Sequence, residues 1–164
     1  MRYGVSFFSG CGGSSLGYNL AGVKILYANE FVLKASDTYK LNFPDTYIDT
    51  RDIRTVDAQE VLDIIKLKKG ELDFLDGSPP CASFSTAGRR EKSWGKVKNY
   101  SGTKQRTDDL FFEYIRMVDG IQPKVFIAEN VRGLIQGKAK GHFNIFLREF
   151  KKLNYNVKAS LLDA

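Results

Sequence analysis

Short apolar segments with the residue types of β-strands alternate with longer segments of helical period along the whole chain. Such alternation predicts a mostly parallel sheet with helices on both faces. In sheets of this kind the loops that follow the strands meet at one edge, where ligands bind. The predicted strands are 3–8, 24–28, 47–48, 72–75, 125–128 and 157–162. The predicted helices are about 15–21, 32–41, 58–68, 110–121 and 143–153, with Ser14 or Ser15 capping the first and Asp57 the third.

Length and composition favour one globular unit. The 164 residues, 43% of them apolar and 27% charged, suit a single domain over 1–164 with one core. We expect no transmembrane segment, and the apolar stretch at the N-terminus is too short for a secretory signal, so a cytoplasmic protein is expected. Two cysteines and one histidine cannot build a disulfide framework or a four-cysteine zinc site, and no metal site is predicted.

The formal net charge of +6 is concentrated in one segment. Residues 82–106 hold seven basic residues and one acidic residue, together with aromatic residues that include Trp94 and Tyr100. The segment has neither helical nor strand period, which predicts a long mobile loop over about 83–106. Such a loop suits a polyanion such as nucleic acid, and a solvated surface loop is the alternative. The basic residues are Arg89, Arg90, Lys92, Lys96, Lys98, Lys104 and Arg106.

The loop after the first strand is rich in glycine. Gly10, Gly12 and Gly13 allow the backbone to approach a ligand closely and place amides at a helix N-terminus. The loop lacks the dinucleotide fingerprint, because residue 15 is Ser, and it is no P-loop, because no Lys follows the glycines. By itself the loop fits a ligand cradle and a simple tight connection equally well.

Acidic and aromatic residues at the next strand ends point to an adenosine. Glu30 ends the second strand, where a carboxylate can accept hydrogen bonds from both ribose hydroxyls. Asp52, after the third strand, can accept from an adenine amino group. Phe8 and Phe31 can enclose the base, although aromatic residues at such positions are as often part of the core. Together these residues predict an adenosine-containing cofactor without a pyrophosphate.

The loop after the fourth strand carries a candidate nucleophile. Pro79 and Pro80 stiffen the turn before Cys81 and fix the direction of its side chain. Basic groups and a helix start nearby favour a thiolate. Glu129 follows the fifth strand, and a carboxyl half-buried there can hold and donate a proton; the alternative is a cap for the turn that begins at Val131.

Six motifs in order resemble those of the DNA cytosine-5 methyltransferase family. FSGCGGSSLG resembles its cofactor motif, NEF its ribose-binding segment, GSPPCASFS its catalytic Pro-Cys motif and ENVRGL its Glu-Asn-Val motif. LFFEYIRMV is similar to the helix after the mobile loop, and KLNYNVKASLLDA to a later strand; the motifs span residues 3–164. The resemblance implies a Rossmann-like fold of the S-adenosylmethionine-dependent methyltransferases, cut short before the target-recognition domain.

The resemblance also implies a mechanism, a cofactor and a partner. Cys81 attacks C6 of a cytosine flipped out of double-stranded DNA, Glu129 protonates N3, and Asn130 positions the loop that contains Pro80. C5 then takes the methyl group of S-adenosyl-L-methionine. The positions that match family contacts with this cofactor are Phe8, Gly10, Gly12, Gly13, Glu30, Phe31, Asp52, Ile53, Pro80 and Leu110. The expected DNA contacts are Ser85 and the seven basic residues of the loop, which would close over the phosphates.

The chain departs from the family pattern at three places. Pro79 stands where an aromatic residue or glycine is frequent, and the arginine expected before Leu110 is displaced, with Arg106 or Thr107 as candidates. The chain ends at Ala164, before the Gln-x-Arg-x-Arg segment, the recognition domain and the last two motifs. We therefore expect a truncated form, or a split form completed by a second chain, that binds the cofactor weakly and does not methylate DNA alone.

Other functions fit parts of the pattern. A tRNA cytosine-5 methyltransferase shares the motif set, and the basic loop does not distinguish DNA from RNA. A non-catalytic remnant or partner subunit would keep the fold without turnover. A nicotinamide oxidoreductase is disfavoured by Ser15 and by the Pro-Pro-Cys sequence, which also disfavours an amino-methylating enzyme.

Overall fold

A parallel sheet forms the centre of a computed structural model of the chain, which describes residues 1–80, 98–100, 103–105, 109–135 and 140–162. The strands are β1 (Arg2–Phe7), β2 (Val23–Asn29), β3 (Tyr47–Asp49), β4 (Phe74–Gly77), β5 (Lys98–Tyr100), β6 (Thr103–Gln105) and β7 (Val125–Ala128). Five of them pair in parallel in the order β3-β2-β1-β4-β7, and β5 pairs with β6 in an antiparallel ribbon. The mostly parallel sheet predicted from the sequence is confirmed.

Five helices connect or flank these strands in the described part of the chain. They are α1 (Gly13–Leu20), α2 (Leu33–Asn42), α3 (Ala58–Ile65), α4 (Leu110–Ile121) and α5 (Lys140–Lys152), with single 3-10 turns at Ile53–Thr55 and Arg132–Ile135. None of them is long and apolar enough to cross a membrane.

Alternate residues of β1 face different layers, because successive side chains of a strand point to opposite faces. Val5 and Phe7 are fully buried in the main core, which also contains side chains of α3, α4 and α5. Ser6 faces the other way and reaches Tyr18 of α1 through Asp76 of β4. Helices therefore cover both faces of the sheet, and the edge at the carboxyl ends of the strands stays open.

Most predicted elements lie within a few residues of the observed ones, and α4 and β7 have the predicted bounds. Asp57 caps α3 as predicted, accepting hydrogen bonds from the backbone of Gln59 and Glu60. The fourth strand lies two residues later than predicted, so that it includes Asp76 and Gly77. The ribbon β5–β6 lies within the segment for which the sequence predicted a loop without regular structure.

Two local predictions are wrong. Neither Ser14 nor Ser15 caps α1; its cap is Gly12, in the left-handed region at φ 94°, and Ser15 is buried, where its Oγ accepts a hydrogen bond from Tyr39. The predicted last strand is absent, since residues 155–162 have no strand structure. A strand requires a neighbour for its backbone hydrogen bonds, and β7 pairs only with β4 in the described residues.

Candidate active site

A cavity of about 270 Å³ opens at the carboxyl edge of the sheet, where the loops after β1, β2, β3 and β4 meet. Eight of the ten predicted cofactor residues line it: Phe8, Gly10, Glu30, Phe31, Asp52, Ile53, Pro80 and Leu110. Four further lining residues, not predicted from the sequence, are Asn29, Val32, Ala35 and Ser78. The structure thus brings together residues that are up to a hundred positions apart in the chain.

Glu30 connects two sides of this cavity through its carboxylate. Its Oε2 accepts a hydrogen bond from the backbone N–H of Gly10 at 2.8 Å, and its Oε1 accepts one from the N–H of Val32 at 2.8 Å. Its own N–H donates to the carbonyl of Asp49 at 2.9 Å. The side chain is therefore buried and fixed by backbone partners, with one further lone pair on each carboxylate oxygen.

The turn after β1 has an unusual backbone. Phe8, which lines the cavity, has φ 56°, a conformation that costs a residue with a side chain about 1–3 kcal/mol. Gly12 and Gly13 do not line the cavity. Gly12 is required for another reason, because a Cβ at this position would overlap the ring of Phe43. Cys11, between the glycines, is exposed.

The wall formed by Asp52, Ile53 and Leu110 is held by ion pairs that the sequence did not indicate. The guanidinium of Arg54 contacts Asp52 at 2.9 Å and Asp109, the residue before α4, at 2.6 Å. Arg116 of α4 donates from Nη2 to the carbonyl of Ile53 at 2.8 Å. Arg54 therefore connects the turn after β3 to the start of α4, and Arg116 connects it to the middle of the same helix.

The diproline turn is attached to the segment after β7. The Asn130 Nδ2 atom donates to the Pro79 carbonyl at 3.0 Å, and its Oδ1 accepts from the N–H of Val131 at 2.9 Å. The N–H of Glu129 donates to the Gly77 carbonyl at 3.0 Å. The prediction that Glu129 is half-buried is wrong, because the residue is exposed. Its carboxylate is nevertheless near enough to Asp76 to contribute, alongside burial, to the raised pKa of that carboxyl.

A buried carboxyl lies directly behind the diproline turn. Asp76 is 2% exposed and accepts hydrogen bonds from Tyr18 at 2.9 Å and from Ser6 at 3.1 Å. Burial raises the pKa of the Asp76 carboxyl, and the two hydrogen bonds oppose that shift. The sequence carries a signal for this residue, namely an acid between an apolar run and a glycine. Asp76 is not singled out from the sequence, because the strand predicted from the apolar run ends at Leu75.

Several predicted residues lie outside the described part of the chain. They include the candidate nucleophile Cys81 and, among the expected DNA contacts, Ser85, Arg89, Arg90, Lys92, Lys96 and Arg106. Two of the expected DNA contacts lie in the β5–β6 ribbon, where Lys98 pairs with Gln105 and Lys104 pairs with Asn99. Only the backbone of this ribbon is described. Pro80, the residue before Cys81, lines the cavity.

Comparison with known proteins places this site in a family. The sequence model described as C-5 cytosine-specific DNA methylase matches residues 3–164. The chain belongs to this family. The fold is accordingly the Rossmann-like fold of S-adenosylmethionine-dependent methyltransferases, as the sequence resemblance implied.

Relatives within the family match nearly the whole chain. It is 34% identical over 160 residues to the type II methyltransferase M.NgoPII of Neisseria gonorrhoeae, with 98% of the chain and 42% of the relative covered. It is 35% identical over 160 residues to M.FnuDI of Fusobacterium nucleatum, with 98% and 41% covered. A crystal structure described as a prophage-encoded DNA modification methyltransferase (E. coli) is 27% identical, with TM-score 0.70, covering 93% of this chain and 38% of that one. The chain thus spans about two fifths of the length of these relatives.

Proposed function

We propose that this chain provides the cofactor-binding and cysteine-bearing part of a DNA cytosine-5 methyltransferase of the restriction-modification type, acting in the cytoplasm. One observation carries the proposal: Pro80, the residue before Cys81, lines the same cavity as Glu30 and Asp52, whose carboxylates suit an adenosine. A nucleophile that directly follows a lining residue of a nucleoside-binding pocket in the chain suits group transfer from an adenosine-linked donor to a base.

The hydrogen-bonding capacity of the cavity fits S-adenosyl-L-methionine. Glu30 has one lone pair left on each carboxylate oxygen, which matches the two ribose hydroxyls of an adenosine. Three of the four lone pairs of Asp52 face Arg54, which leaves one, on Oδ2, for the adenine amino group. The rings of Phe8 and Phe31 lie at the same cavity and suit the faces of the base.

Each catalytic residue has a defined task in the proposed reaction. The Cys81 thiolate forms a bond to C6 of cytosine, which makes C5 nucleophilic while Glu129 protonates N3. Bound S-adenosylmethionine would supply the methyl group to C5, with its S–CH3 bond broken and S-adenosylhomocysteine as the leaving group. Loss of the C5 proton then restores the 5,6 double bond and expels the thiolate. The hydrogen bond from Asn130 to Pro79 supports its proposed task, because it fixes the turn that carries Cys81.

The proposed substrate is double-stranded DNA with the target base flipped out, since C6 cannot be reached by a thiolate inside the duplex. The segment of about 83–106 holds seven basic residues and one acidic residue, and its basic residues would bind the phosphates. Because the chain spans about two fifths of its relatives, we expect turnover only when the remaining part of the enzyme is present. The comparisons give no support for a separate second chain as its source.

Covalent trapping tests the proposal. The full-length enzyme is incubated with S-adenosylmethionine and duplex DNA containing 5-fluorocytosine, which cannot lose a C5 proton. We expect an adduct that survives denaturation and that disappears in Cys81→Ser. Cys11→Ser is the matched control, since it removes the other cysteine of this chain and should leave the adduct intact. An adduct with Cys81→Ser would refute the assignment, and an adduct with tRNA in place of DNA would assign the substrate to RNA.

A further inference from the structure

Arg54 lies between two carboxylates, those of Asp52 and Asp109, and Asp52 lines the cavity. Its backbone N–H donates to Asp52 Oδ1 at 3.0 Å, and its Nη1 contacts Oδ1 at 3.1 Å and Oδ2 at 2.9 Å. On its other edge, Nε donates to Asp109 Oδ2 at 3.1 Å and Nη2 donates to Oδ1 at 2.6 Å. One planar group thus fixes a side chain that lines the cavity to the first residue before α4.

The planar shape of the guanidinium matters here. Two carboxylates of equal charge repel each other, and a group that contacts both at once removes the repulsion and fixes their orientation. The side chains of Arg54, Asp52 and Asp109 are 27%, 31% and 31% exposed, so solvent screens these pairs only in part. Their value for stability is therefore modest, but the orientation of Asp52 depends on them.

We propose that Arg54 is a positioning residue that makes the cavity selective for a 6-aminopurine over a 6-oxopurine. The inference rests on the proposed function, because it assumes that Asp52 faces the base of the cofactor. With three lone pairs engaged by Arg54, Asp52 presents one acceptor in one fixed direction. An amino group at C6 can donate to it, whereas a carbonyl oxygen at C6 cannot.

The selectivity for the 6-aminopurine arises because Arg54 holds Asp52 in one orientation. A 6-oxopurine also carries a donor, its N1–H, and a carboxylate free to rotate could turn toward that group instead. Arg54 prevents this turn, since it also contacts Asp109 and cannot follow Asp52. Without the guanidinium, only the backbone N–H of residue 54 still holds Oδ1 of Asp52. Oδ2 should then accept from either ring, and the preference for the amino compound should fall.

Binding of two ligands to the full-length enzyme, as used for trapping, tests this inference. S-adenosylhomocysteine and S-inosylhomocysteine differ in the C6 substituent and the N1 proton, and calorimetry or competition measures the ratio of their Kd values. We expect the wild type to prefer the adenosyl compound by roughly 10- to 100-fold, the range of one hydrogen bond to a charged group. In Arg54→Gln the ratio should fall to within about threefold of unity, mainly through tighter binding of the inosyl compound.

Arg51→Gln is the matched control. Arg51 also contacts two carboxylates, Asp49 at 2.7 Å and Glu60 at 2.8 Å, but neither of these carboxylates lines the cavity, whereas Asp52 does. This variant should lose stability to a similar degree and keep the wild-type ratio. If Arg54→Gln fails to fold, Arg54→Lys replaces it, because an ammonium keeps the charge but cannot span both carboxylates in one plane.

The outcomes separate the two proposals. A wild-type chain that binds neither compound would overturn the proposed cofactor site and this inference with it. A wild type that prefers the adenosyl compound, together with an Arg54 variant that keeps the full ratio, would overturn the role of Arg54 alone. Equal loss of affinity for both ligands in the Arg54 variant would show a purely structural residue and would likewise refute the inference.

Discussion

Replacement of Glu30 by Gln tests how the cavity recognises a nucleoside. The wild-type carboxylate accepts one backbone hydrogen bond on each oxygen, from Gly10 and from Val32, at 2.8 Å in both cases. A glutamine amide has one oxygen and one NH₂ group, so one of the two backbone N–H groups would face a donor. An unsatisfied group of this kind costs about 1–3 kcal/mol of stability.

The expected loss of binding is larger than that of a single neutral hydrogen bond. The proposed ribose contacts use the second lone pair of each oxygen, and the amide keeps only one acceptor, without charge. Loss of one hydrogen bond to a charged group corresponds to about 1.5–3 kcal/mol, or roughly 10- to 150-fold in Kd. We therefore expect Glu30→Gln to weaken binding of S-adenosylhomocysteine by at least tenfold, as measured by calorimetry.

Two comparisons make the result specific. Glu71→Gln is the control, since Glu71 also accepts a backbone hydrogen bond, from Lys68 at 2.8 Å, and does not line the cavity. A 2′,3′-dideoxy analogue of the ligand should bind the wild type and Glu30→Gln with similar affinity, because it lacks the groups that Glu30 recognises. If the variant loses the same factor for the analogue as for the intact ligand, the ribose assignment is wrong.

Three further substitutions give predictions of stability. Gly77→Ala should destabilise the chain by about 1–3 kcal/mol, measured by urea unfolding, because its Cβ would overlap the ring of Tyr114; an unchanged midpoint would refute this packing. Asp57→Ala should cost about 1 kcal/mol in the same assay through loss of the α3 cap, with restoration by Asp57→Ser. Burial raises the pKa of Asp76 above its ordinary 3.8, so the folded state binds this proton more tightly than the unfolded state, and the stabilisation present below pH 3.8 is lost as pH rises through the raised pKa. Asp76→Asn keeps an acceptor for Tyr18 but has no proton to lose. As pH rises, the wild type should therefore lose unfolding free energy relative to this variant. A difference between the two that is independent of pH would contradict the raised pKa.

Helices and strands whose first and last residues follow from their own sequence were predicted correctly. The bounds of α4 follow from its wide apolar face and those of β7 from its short apolar run, and both agree with the structure. The cap of α3 is similarly local, since Asp57 accepts from the first amides of the helix that it precedes. Prediction failed for the cap of α1, where Gly12 has a positive φ and packs so close to the ring of Phe43, from another part of the chain, that a Cβ would not fit.

The candidate site shows the same division. Glu30, Asp52 and Phe8 were identifiable because parallel strands deliver their carboxyl ends to one edge, so that position in a strand predicts position in a site. The sequence gives no such signal for Arg54, because its partner Asp109 is more than fifty residues away in the chain. The sequence likewise did not predict that Glu129 is exposed, because burial at the end of β7 is set by the packing of other segments.

The sequence by itself determined the fold class, the family and the edge of the sheet where chemistry is possible, since periodicity and motif order are properties of the linear chain. Only the tertiary structure decided which polar groups satisfy each other: the two amides on Glu30, the two carboxylates on Arg54, and the Asn130 amide on Pro79. Hydrogen bonds extend about 3 Å and depend on angle, so they are fixed by the placement of distant segments and not by the local order of residues.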